Sequence, residues 1–146
     1  MVFKANKKTT LGRSVESFES IVGQSLVIDG NLKISQGVRI DGVLNGNIYQ
    51  EDGKSATVAI AESGLVNGSI YAQHVIISGR VKGDIYSLDR VELLRDAQIE
   101  GDISYGSIGI EAGARIFGKL KPINSQDTED AVELIINQAK QKTTAI

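Results

Sequence analysis

The chain has 146 residues and a net charge of −2, enough for one domain with its own core plus tails, and no global attraction to nucleic acid. It contains no cysteine, which excludes disulfides and thiolate metal sites, and no apolar run long enough for a membrane helix or signal segment, so a soluble cytoplasmic chain is expected. Hydrophobic residues make up 41% but aromatics only 5%, so Val, Ile and Leu must build the core, while 16 Gly against one Pro point to a repeated backbone geometry.

Residues 1–20 read as a flexible arm. Met1, Val2 and Phe3 form an apolar tip, followed by Lys4, Lys7 and Lys8. With Arg13 these four basic residues face only Glu16 and Glu19, and the rest of the chain is net acidic, so the basic excess lies wholly in the arm.

From Ile21 to Lys121 one unit recurs: aliphatic, any residue, Gly, any residue, aliphatic. Its copies are centred on Gly30, Gly46, Gly68, Gly83, Gly101 and Gly118, with spacings of 16, 22, 15, 18 and 17. The long spacing contains the polar, turn-rich segment 50–55, an insertion that leaves the repeat. Between copies the pattern has period two, as in Val75, Ile77, Gly79, Val81, Gly83 and Ile85, which predicts strands with one buried and one wet face. No helical period is sustained in this region.

Hairpins would place the Asn-Gly pairs between strands, but these Gly residues fall in phase with the inward aliphatics. The spacing instead predicts a single-stranded parallel β-helix of three short strands per turn. Its Gly would sit at corners, either because φ is positive or because no side chain fits. Six rungs at about 4.8 Å make a rod roughly 29 Å long. Asn31, Asn47, Asn67, Ser69, Asp84 and Asp102 beside the Gly suit tight corners. The tandem nine-residue pattern of calcium-binding β-helices is absent, and no metal or cofactor is expected.

Tyr49, Tyr71 and Tyr86 each follow an inward Ile, predicting a stack on one outer face that either stabilises the coil or docks a neighbour. His74, the sole histidine, reads as an exposed rung position. A coil has two open strand edges that invite pairing with further chains. Ile21, Val22 and Leu26 belong to the first rung. Ile116, Phe117 and Leu120 belong to the last, where Phe117 points outward either as an anchor or packed under the returning tail. Pro122, which cannot donate to a ladder, marks the stop. The tail 122–146 carries Val132, Ile135, Ile136 and Ala139 on one helical face after Asp127, and this helix either folds on a partner or covers the C-terminal end.

Ser20-Ile-Val-Gly-Gln-Ser-Leu-Val-Ile-Asp-Gly-Asn-Leu32 and Val38-Arg-Ile-Asp-Gly-Val-Leu-Asn-Gly-Asn-Ile48 resemble the opening of the bactofilin domain. Val81-Lys-Gly-Asp-Ile85 and Val91-Glu-Leu-Leu94 continue the resemblance, which spans about residues 20–121. It implies a right-handed triangular β-helix that joins end to end into non-polar filaments without nucleotide, with no active site. It further implies a scaffold under the bacterial inner membrane that localises cell-envelope or morphogenesis proteins. The start, Met1 to Lys8, resembles the membrane-targeting start of many bactofilins, apart from the inserted Val2. Each Lys near an anionic leaflet contributes about 1 kcal/mol, so one arm binds weakly and many arms on a filament bind firmly.

Two enzyme classes fit less well. Hexapeptide acyltransferases need strict six-residue repeats and a catalytic His, and β-helical carbohydrate-cleaving enzymes need clustered Asp or Arg and a longer groove. A β-helical adaptor that does not polymerise is the remaining alternative.

Overall fold

The alternating Val and Ile residues emerge as short parallel strands in a computed structural model that describes residues 18–123, where all 15 regular elements are β-strands. β1 (Ser20–Val22), β2 (Val27–Asp29) and β3 (Leu32–Ile34) make the first turn. β4 (Gly37–Ile40), β5 (Val43–Asn45) and β6 (Ile48–Gln50) make the second. β7 (Thr57–Ile60), β8 (Leu65–Asn67) and the start of β9 (Ile70–Ile77) make the third. The fourth runs from the end of β9 through β10 (Arg80–Lys82) into β11 (Ile85–Leu93). The fifth leaves β11 for β12 (Gln98–Glu100) and enters β13 (Ile103–Ile110), and the sixth closes with β14 (Arg115–Phe117) and β15 (Leu120–Pro122).

Every pairing is parallel and joins the same position in successive turns, so the chain coils around three faces. The expected β-helix of about six turns is the fold observed. The second face is a separate six-stranded sheet. The first and third faces merge because β9, β11 and β13 run straight around their shared corner. At that corner the β11 register shifts between Ser87 and Arg90, and the buried Ser87 hydroxyl lies 2.8 Å from the Gln73 carbonyl and 3.0 Å from that of Arg90.

Columns of aliphatic side chains fill the inside. Leu44, Val66, Val81 and Ile99 stack from the second face, and Ile48, Ile70, Ile85 and Ile103 from the third, all with negligible exposure. Burying each such side chain contributes about 1.5–3 kcal/mol. Among the described residues no buried side-chain nitrogen or oxygen lacks a partner.

The Gly repeat has a steric cause. A Cβ on Gly46 would overlap the carbonyl of Gly30, one on Gly68 that of Gly46, and so on along the corner to Gly118. Crowding by the neighbouring turn, rather than positive φ, excludes side chains at Gly46, Gly68 and Gly118. Beside this column the corner polar residues bond from turn to turn. The Asn47 carbonyl oxygen of the side chain accepts the Ser69 N–H at 2.8 Å, and Asp84 and Asp102 carboxylates accept the N–H of Asp102 and Lys119 at 2.9 Å. Residue type placed these side chains at the corners, but their partners lie in the next turn, 17 to 22 residues away, rather than in the local backbone.

The insertion occupies 51–56, between β6 and β7. Gln50 pins it: its buried side-chain oxygen accepts the N–H of Ala56 at 3.1 Å and of Gln73 at 2.7 Å. Outside the coil a second, small apolar cluster forms on the first face, where Ala59 and Ile76 are packed by Phe18 and Leu94.

Candidate assembly surfaces

Among the described residues the first and last turns pair on one side only, which leaves β1, β2 and β3 at one end and β14 and β15 at the other as open edges. Such edges carry unpaired N–H and C=O groups that favour strand addition. Apolar side chains accompany them. At the N-terminal end Ile21 is 54% exposed, with Leu26 and Val27 also exposed. At the C-terminal end Phe117 is 62% exposed, joined by Ile110 and Leu120.

The six residues singled out from the sequence therefore divide. Ile21, Leu26, Phe117 and Leu120 are exposed at the ends. Val22 points inward and is only 6% exposed, because it sits over Ile40 at the top of the interior column, and Ile116 is half-buried under the same logic. Val27 and Ile110 were missed. Val27 occupies the outward phase of β2, one residue before the inward Ile28; Ile110 keeps the inward phase but, among the described residues, no further turn covers it.

Lys33, Tyr49, Tyr71, Tyr86, Ser104 and Lys121 form one outward column on the third face. The expected column of three tyrosines is present, and within it Tyr71 and Tyr86 pack ring against ring, with centroids 6.0 Å apart and planes tilted by 53°. Both rings are only 5% exposed, however, so this is a packed ladder rather than an open strip. Burial pushes the Tyr71 phenol above its usual pKa; Asp52 and Tyr86 add to this and a hydrogen bond with Gln50 opposes it. His74 is likewise more enclosed than an open rung position: its Nε2 lies 3.0 Å from the Glu92 carboxylate, which also accepts a bond from Arg90 Nε at 3.2 Å. Among the described residues no group of three His, Asp or Glu is placed to hold a metal ion. Met1, Val2, Phe3, Lys4, Lys7 and Lys8, and the tail helix predicted around Val132–Ala139, lie outside the described residues.

Residues 20–121 match the model of a protein family described as bactofilin, polymer-forming cytoskeletal. The chain belongs to the bactofilin family. It is similar to bactofilin BacO of Myxococcus xanthus, with 35% identity over 101 residues that cover 69% of this chain and 77% of BacO. It is also similar to bactofilin BacP of the same organism, with 30% identity over 101 residues, and there it spans only 40% of the relative's length. No solved structure gives a significant match. As a bactofilin the chain is a member of a polymer-forming cytoskeletal family, which makes self-association the property its surfaces must explain. Among the described residues no helix is long and apolar enough to cross a membrane.

Proposed function

We propose that this bactofilin is a non-enzymatic scaffold whose rods join end to end, without nucleotide, into filaments that lack polarity. The observation that carries this reading is the pairing of open strand edges with exposed apolar side chains at both ends of a closed coil. Like-end contacts are favoured by the outward columns. If a second rod continued these columns head to tail, Phe117 would land on Asp29, Arg115 on Val27 and Lys121 on Lys33. That sets an aromatic ring on a carboxylate and a lysine on a lysine. Contacts between like ends can set Phe117 and Ile110 against apolar side chains of the same end, and a filament then alternates two kinds of two-fold joint.

The decisive experiment is electron microscopy with analytical ultracentrifugation of wild type and Phe117→Arg. Wild type is expected to form filaments, and the variant to stop at dimers held through the N-terminal end while keeping its β-rich circular dichroism. Monomers in the variant would point to head-to-tail joints. Wild type that never assembles would overturn the reading and leave the adaptor.

The basic, apolar-tipped arm supports attachment to the inner face of the cytoplasmic membrane, where filaments would gather cell-envelope or morphogenesis proteins. Co-sedimentation with anionic liposomes, with and without residues 1–8, checks this: pelleting should depend on the arm, and equal pelleting would refute it.

A further inference from the structure

We propose that Phe18 is a latch that ties the N-terminal arm to the flank of the rod and thereby holds it clear of the first-turn end face. Gly37 gives the first sign. It shares an outward column with Thr57, His74, Arg90 and Ser107, so turns three to six all carry side chains at this position. Its φ is not positive and the backbone does not require glycine there. A Cβ on Gly37 would instead stand 3.1 Å from Cδ1 of Phe18, closer than ordinary contact. The ring occupies the notch that the missing side chain leaves.

The second sign is independent. Ala59 and Ile76 are consecutive outward residues of the first face, in a column that otherwise holds Ile21, Arg39, Glu92 and Gly109. Both are apolar and 1% exposed, with Phe18 and Leu94 packed against them. Phe18 precedes β1 by two residues, yet it reaches Gly37 of turn two and packs against the cluster that Ala59 and Ile76 form across turns three and four. The ring is therefore directed along the rod, away from the end where Ile21, Leu26 and Val27 are exposed. Phe18, the first described residue, thus sits on the flank of the rod and not on the open edge of β1.

The latch itself needs no filament; its end-clearing role rests on the assembly reading above, and two readouts separate them. The chain has no cysteine, so Ile76→Cys carries the sole thiol. Maleimide labelling of that thiol should accelerate at least tenfold when Phe18→Ser is added, with Ala59→Cys as a second reporter if the first variant fails to fold. Equal rates overturn the latch. In sedimentation, full-length Phe18→Ser should assemble less than wild type, and a Phe18→Cys/Gly37→Cys pair bridged by a short bis-maleimide should recover assembly. Failure of the pair to bridge contradicts the latch, and bridging without recovery, or undiminished assembly of Phe18→Ser, overturns the end-clearing role. Slow labelling of Ile76→Cys that Phe18→Ser accelerates, in a protein whose wild type never assembles, keeps the latch and removes the filament reading together with end clearing.

Discussion

At Gly46 a methyl group has nowhere to go, because the neighbouring contacts are the backbone carbonyl of Gly30 and the N–H of Asn31 rather than a side chain that can turn aside. Gly46→Ala is expected to cost about 3 kcal/mol, the upper end of ordinary overpacking. Gly23→Ala, with nothing within 4 Å, should be near neutral, and urea midpoints of the two variants make the comparison. Tyr71 supplies a second residue-scale expectation. Its folded pKa is raised, so the fold favours the neutral phenol; that stability is present below the unfolded value of about 10 and fades as pH rises through the folded value. Absorbance titration should find a late-ionising tyrosine that disappears in Tyr71→Phe, with stability falling above about pH 10 in wild type. The Gly phase was legible as periodicity, and the tyrosine column as three residues each following an inward Ile. Their reasons were not: the carbonyl that excludes a Cβ at Gly46 lies 16 residues away, in the previous turn.

Among the elements, the segment between β6 and β7 was read from a spacing of 22 where the others are 15 to 18. That reading located the excursion but not its fastening, since Gln50 sits in an inward phase where a polar residue looks like an error. Its side chain satisfies two backbone donors that would otherwise be buried unpaired. Gln50→Leu should therefore destabilise by about 2 kcal/mol or more, and hydrogen exchange should rise at Ala56 and Gln73 before the rest of the coil. The Phe18 contact with Gly37 was illegible for a related reason: alternation describes which face a residue occupies, not which chain end folds back on it.

For the whole molecule, six turns and two open ends followed directly from six Gly-centred copies. Which side chains the ends expose did not follow as simply, because a residue in the inward phase is covered only if another turn lies beyond it; hence Ile110 is open while Leu93, its partner one turn earlier, is buried. With Ile21, Leu26, Val27, Ile110, Phe117 and Leu120 exposed at the ends, the joints proposed there would be mainly apolar. Screening charges in 1 M salt should then leave assembly intact or strengthened, as sedimentation would register, whereas dissolution would identify ionic joints.

The parallel ladders also have a mechanical consequence. The covalent chain winds around the rod, so tension along its axis is carried across each turn by the backbone hydrogen bonds of three strands pulled together. Within a subunit no bond must break before its companions share the strain. A stretched fibre of such rods would consequently part between subunits, yielding intact coils with fresh ends ready to anneal.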